Sequence, residues 1–292
     1  MLKNVLENHW FWKYTIKEGK LLNSEIEAVN NKIKFSQTVF YILLFIKLTY
    51  MMYGFNEYLG LDIIDPLWPV IWVKFLPVMP WVVIFIAMCF VLSLSSIVFG
   101  LTKYLKISLF FTCFILFSLL NSRGKINHSY HTILIPLFCF IFLDNSKSKT
   151  YENFTIFATS VFALLMSYFL AGFWKITKAF HYLYKGEKGL FDIDAFTRML
   201  KYQFRYDEPT ALAKWIIEHE NIGYLMIWSG VLLEFFSILV FFFGKGHKFW
   251  GAALLLLHIS ISIIMDVSFS NAFITLIPLL VLSPFSVKKE AF

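Results

Sequence analysis

Ser167-Tyr168-Phe169-Leu170-Ala171-Gly172-Phe173-Trp174-Lys175-Ile176 closes an apolar run that begins near Phe154 and ends on a lysine. Wound as a helix, a run of roughly 20 apolar residues crosses the hydrocarbon core of a bilayer. Ala171 and Gly172 are small enough to admit a second helix at close range. Trp174 suits the membrane–water boundary. Lys175 has two readings. Its stem can snorkel so that the ammonium reaches the headgroups, or the amine can face the bundle interior, where lost hydration frees it to act as a base.

The whole chain has the same character. Of its 292 residues 59% are hydrophobic, 20% aromatic and 15% charged, and phenylalanine alone contributes 35. A soluble domain carries about 25% charged residues. The apolar excess falls in blocks long enough to span a bilayer, which points to an all-α, polytopic integral membrane bundle with lipid as its surroundings. The net charge of +7 is therefore read as topology, because basic residues near helix ends mark the cytoplasmic side. No nucleic-acid partner is expected. Cys89, Cys113 and Cys139 lie inside apolar blocks as small hydrophobes, with no disulfide framework or zinc spacing.

Residues 1–35 are a mixed-charge segment without the apolar core of a signal peptide, and His9-Trp10-Phe11-Trp12 suits an interfacial helix. About eight spans follow, near residues 36–55, 81–100, 105–120, 132–143, 153–176, 223–243, 249–265 and 271–283. Lysines before the first span, at Lys103, Lys106, Lys147, Lys149 and Lys248, and at Lys288 and Lys289, place both termini in the cytoplasm. Residues 56–80, rich in proline and tryptophan, read as an outer loop on the membrane surface. In the 177–222 loop two interfacial helices are expected. One starts at an Asp192 N-cap and presents Phe196, Met199, Leu200 and Phe204 on one face; the other runs from Pro209 to Glu220. Together they form a lid over the outer mouth.

The ionisable residues in or beside the spans are Lys47, Lys175, Glu234 and His258, with His128 at a helix entrance. Lys47 and Glu234 both lie near mid-membrane, so they are expected to pair and fix helix packing; a proton relay is the alternative. His258, Ser262 and Asp266 recur at intervals of four and share a helix face, a polar stripe suited to a cavity wall. Hydrogen bonding to a neighbouring helix is the plainer role for His258, and His131 competes with His128 for any outer role. No metal site is expected: HExxH is absent, and His128 and His131 lack nearby carboxylates.

Three short pieces in order resemble a known family. Asn127-His128-Ser129-Tyr130, then Tyr168 to Ile176, then Leu257-His258 with Ser268-Phe269-Ser270 and Ser283-Pro284-Phe285 resemble the membrane part of vitamin K-dependent gamma-glutamyl carboxylases. The wider group is the HTTM domain family, which includes bacterial proteins. The resemblance implies a carboxylase-like transmembrane domain over residues 36–286, between a cytoplasmic segment 1–35 and a cytoplasmic tail 287–292. It implies Lys175 as the base toward a reduced quinone (menaquinone or a vitamin K-like quinol) and His128 as its assistant. Asn127, Tyr130, Gly172, Trp174 and His258 would line the substrate or quinone pocket. Trp174 stands where the family has the first of two adjacent lysines, and the family's large lumenal part has no counterpart in this sequence. Short bacterial members of the wider group serve maturation of a secreted peptide, so the resemblance also implies a second role, a non-catalytic factor for peptide maturation or export in the bacterial cytoplasmic membrane.

Overall fold

The structure is a computed structural model, and residues 23–59, 65–76, 80–122, 129–144, 149–242, 246–267 and 269–284 are described. Among them every regular element is helical. Five helices are long and apolar enough to cross a membrane, consistent with an integral membrane protein.

Helix α1 (Asn23–Tyr53) explains why. Ile33, Phe40, Leu44, Leu48 and Met51 are buried on one face, while Phe35, Ile42, Ile46 and Tyr50 are exposed on another. Both sets follow helical spacing, and both are apolar. A helix in water would turn a polar face outward; one apolar all round is a core or membrane helix. The helix starts at Asn23, upstream of the boundary expected at residue 36, because the polar residues that precede the apolar run continue the same helix.

The chain continues through α2 (Asn56–Leu59) and a 3-10 helix (Trp68–Phe75) into α3 (Trp81–Val98) and α4 (Lys103–Asn121). The amides of Asp65 and Leu67 bond the Ser122 carbonyl and hydroxyl, fastening this loop to the end of α4. Next come α5 (Ser129–Phe140) and α6 (Thr150–Lys185). At 1.5 Å per residue α6 is about 54 Å long, well beyond the roughly 30 Å hydrocarbon thickness. Phe157, Ala158, Val161, Leu164 and Leu165 bury completely along its first half. Gly186, at φ 68°, ends it in the left-handed conformation that glycine takes without strain.

The 177–222 region holds α7 (Ala195–Gln203) and α8 (Ala211–Glu218). Phe196, Leu200, Ala213 and Ile216 pack with Ile264 in a separate small core. Met199 departs from the expected face and is exposed. The first helix starts at Ala195 and not at Asp192, because the Asp192 carboxylate accepts from the Gly189 amide at 2.6 Å instead of capping a helix. The Thr210 hydroxyl caps α8 by accepting from the Ala213 amide at 3.1 Å.

The remaining spans expected from sequence are less regular. The span expected over residues 223–243 is seen as α9 (Glu220–Phe235) and a single turn, α10 (Ser237–Val240), divided at Phe236, with residue 243 outside the described residues. Helix α11 (His247–Met265) is continuous. Helix α12 (Ser270–Leu276) runs into a π-helical turn, Ile277–Val281. Pro278 has no amide to donate there, and the Leu282 amide reaches back five residues to the Ile277 carbonyl at 2.9 Å. Helices α5 and α12 with its π turn are apolar but short.

Contacts gather the helix ends into two sets. At one end the Ser36 hydroxyl donates to the Leu282 carbonyl, Lys106 Nζ donates to the Leu143 carbonyl at 2.7 Å, and Asn153 bridges Asp144 and Asn30. At the other end Asn271 Nδ2 donates to Ser129 Oγ at 2.8 Å, and the Thr210 hydroxyl donates to the Ile264 carbonyl.

Candidate functional site

The polar centre is built where α6, α9 and α11 meet. Gly172 decides how closely they meet. A Cβ there would lie 2.5 Å from the Phe235 amide nitrogen and 2.8 Å from its Cα, so only glycine lets α6 rest on the α9 backbone. Lys175 lies one turn further along α6, beside Glu234.

Lys175 Nζ donates to both carboxylate oxygens of Glu234, at 2.8 and 2.6 Å. The Glu234 side chain is 11% exposed and that of Lys175 is 47% exposed. The pair thus has a buried anionic end and an accessible cationic end. The pairing expected between Glu234 and Lys47 does not occur. Lys47 Nζ instead donates to Ser270 Oγ at 2.9 Å. Depth along the spans pointed to Lys47; the close approach at Gly172 brings Lys175 to Glu234 instead.

A second polar pair lies two turns earlier on the same face of α6. Tyr168 Oη and His258 Nε2 are 2.8 Å apart. The buried tyrosine hydroxyl is the natural donor, which leaves the imidazole proton on Nδ1. His258 Nδ1 is buried and has no hydrogen-bond partner among the described residues. The imidazole packs against the rings of Tyr168 and Phe269, at 5.7 and 5.1 Å between centroids. The Ser262 hydroxyl bonds the His258 backbone carbonyl at 2.8 Å, so the stripe of fours is used within its own helix. Asp266 is exposed and ends α11 at φ 51°.

The other residues expected at the site are placed as follows. Asn127 and His128 lie outside the described residues. Tyr130 stacks on Phe117 at 4.7 Å and 12°, within the packing of α4 and α5. Trp174 is exposed on α6, and His131 is exposed on α5. Tyr168 and Glu234 are the partners that reading the sequence did not assign to His258 and Lys175. The mid-span position of Glu234 marked it as important, but no periodicity states which lysine faces it. Among the described residues no cluster of three histidine, cysteine or acidic side chains is placed to hold a metal ion.

The fold and site define an all-helical bundle with five membrane-length apolar helices and a polar centre among three of them. Comparison of the chain with protein-family models, curated proteins and solved structures gives no match.

Proposed function

We propose that this chain is an integral membrane protein whose polar centre moves protons in a quinol-linked oxidation or carboxylation, with Lys175 as base. The observation that supports this reading is the Lys175–Glu234 pair beside the Tyr168–His258 pair within an apolar bundle. Ionisable groups at such depth are costly and characteristically functional.

A quinol must have somewhere to bind, and the residues present fit one. His258 Nδ1 is a buried donor without a partner among the described residues, and the Phe269 ring beside it suits a flat, oxygen-bearing ring. A reduced quinone, when bound, supplies the reducing electrons. Lys175 in its ion pair is an ammonium, so its use as a base begins with transfer of a proton from Nζ to Glu234 Oε2 across 2.6 Å. The neutral amine can then take a proton from a ligand hydroxyl. Tyr168 holds the imidazole so that Nδ1 donates toward the ligand. Apolar walls exclude water and strengthen each of these interactions.

The proposal includes about eight crossings in a bacterial cytoplasmic membrane, with both termini cytoplasmic and α7 and α8 at the opposite surface. Its support is the clustering of Lys103, Lys106, Lys149 and Lys248 near one set of helix ends. The amphipathic α7, with Phe196 and Leu200 buried and Tyr202 exposed, supports the surface position.

The test is aerobic incubation of the purified protein with reduced menaquinone or vitamin K hydroquinone, followed by mass spectrometry for the quinone epoxide. The wild type is expected to form it, and Lys175→Ala and Glu234→Gln are expected to form at least tenfold less. Absence of epoxide from folded wild-type protein sinks the reading. One observation favours a second reading, a non-catalytic factor for maturation or export of a secreted peptide: both Glu234 oxygens already bind the Lys175 ammonium, an arrangement that also suits a static helix clamp. Under that reading peptide maturation in cells survives Lys175→Ala at normal protein abundance.

A further inference from the structure

Helix α6 is longer than a bilayer needs. Counted from Phe154, about 20 residues fill the hydrocarbon, which brings Trp174 to its edge. Residues 175–185 carry the helix about 17 Å further. Two faces of this half differ. Gly172 and Ala179, two turns apart, are buried and turn toward the bundle. At about 100° per residue the opposite face carries Leu170, Trp174, Lys178, His181 and Lys185, and all five are exposed. Along that face the chemistry changes in order: apolar at Leu170, indole at Trp174, cationic at Lys178 and Lys185. The same order runs through one leaflet of a bilayer, from acyl chains through the interfacial belt to the phosphates.

The cations on this face are uncompensated. The sequence has no acidic residue between Glu152 and Glu187. Glu234 takes Lys175 and Asp194 takes Lys188, while among the described residues no carboxylate pairs with Lys178 or Lys185. Lys178 Nζ lies 5.6 Å from the centroid of the Tyr182 ring, a contact that leaves the ammonium donors for an anion. Side chains on a helix lean toward its N-terminus, which here is toward the membrane. Lys178, about 6 Å beyond Trp174, therefore reaches the headgroup layer. Lys185, further out, stays within about a Debye length of it.

We propose that this face of α6 binds an anionic phospholipid, with an acyl chain along Leu170, the interfacial region at Trp174 and the phosphate at Lys178. Lys185 adds longer-range attraction, and His181 between the two lysines offers a ring nitrogen to the headgroup. The surface goes beyond the chemistry proposed for Lys175, whose ammonium is already taken by Glu234.

The experiment uses the full chain in liposomes of equal parts phosphatidylglycerol and phosphatidylcholine, with p-benzoylphenylalanine in place of the exposed Thr177 beside the stripe. Irradiation and mass spectrometry of the labelled peptide identify the captured lipid. Capture of phosphatidylglycerol is expected to exceed that of phosphatidylcholine about tenfold. Lys178→Gln should cut this preference about fivefold, the factor for one lysine at an anionic surface. Lys178→Gln with Lys185→Gln should bring it to parity, and Lys178→Arg with Lys185→Arg should keep it. Lys103→Gln with Lys248→Gln, which removes two exposed lysines elsewhere, should leave it unchanged. Equal capture of the two lipids by the labelled chain, or a preference that survives loss of both Lys178 and Lys185, overturns the proposal. So does an added glutamate-rich peptide that cross-links in place of lipid, since the stripe would then be a peptide surface. Every substituted side chain is exposed, so folding is not at risk, and unchanged circular dichroism checks that.

Discussion

Lys175 and Glu234 illustrate how much one contact depends on its two environments. The carboxylate is nearly buried and the ammonium half open to its surroundings, so the pair falls between a surface ion pair, worth under about 1 kcal/mol, and a buried one, whose breaking costs about 3–5 kcal/mol. A double-mutant cycle with Lys175→Met and Glu234→Gln is expected to return a coupling of about 1–2 kcal/mol in denaturant unfolding. A coupling near zero would mean that the two side chains do not meet in the folded protein. Tyr168→Phe makes a separate prediction. It removes the hydroxyl from His258 Nε2 and leaves a buried polar nitrogen unpaired, at a cost of about 1–3 kcal/mol. In nitrogen NMR of the labelled imidazole the variant should lose its fixed Nδ1–H tautomer; an unchanged tautomer would show that Tyr168 does not set it.

At the scale of helices, the decisive device is the contact of α6 with α9. Gly172→Ala puts a methyl group 2.5 Å from a backbone nitrogen, which no rotamer change relieves. The expected cost is about 1–3 kcal/mol, with the Lys175–Glu234 coupling reduced in the same variant because the helices separate. An alanine that leaves both unfolding and coupling unchanged would contradict the close packing. Helix α7 is held by a different device. Arg198 binds the Asp194 carboxylate, donates to the Gly189 carbonyl at 2.8 Å and lies 3.4 Å from Asp192, and Lys188 lies 3.3 Å from Asp194. The Arg198 hydrogen bond, with Lys188 assisting, holds the Asp194 carboxyl below its ordinary range. A carboxyl depressed in the folded state stabilises above its unfolded pKa, about 3.9, and that contribution is lost as pH falls below it. Hydrogen-exchange protection across residues 188–203, measured relative to the intrinsic rate at each pH, is therefore expected to be higher at pH 6 than below pH 4. In Arg198→Ala that additional pH dependence should vanish.

For the molecule as a whole, the outward faces carry the argument. Phe35, Ile46, Val91, Phe111, Leu256 and Ile263 are exposed on four of the long helices, apolar surfaces that water would not tolerate in bulk. Such surfaces are consistent with an integral membrane protein, in which lipid is the solvent. The proposed topology makes a direct prediction for single cysteines placed in a variant whose Cys89, Cys113 and Cys139 are replaced by serine, tested with a membrane-impermeant thiol reagent in intact cells. Positions 187 and 208 should label from outside, and positions 149 and 246 should label only after permeabilisation. Labelling of all four from one side would refute the alternation of spans.

Composition and apolar block length were enough to determine the helical class, the membrane setting and the approximate places of the long helices, because burying a backbone in lipid leaves few alternatives to a helix. The small pair at Ala171 and Gly172 announced a close helix contact, and the structure uses Gly172 for it. The stripe on α7 was legible as a buried face except at Met199. What one-dimensional pattern could not decide was partner choice and local breaks. Mid-span depth assigned Glu234 to Lys47, and only the approach of α6 on α9 gives it Lys175 instead. The break at Phe236 and the π-helical turn after Leu276 likewise arise where chain geometry meets tertiary packing. Helical period says which residues share a face; only the packed bundle says what that face meets.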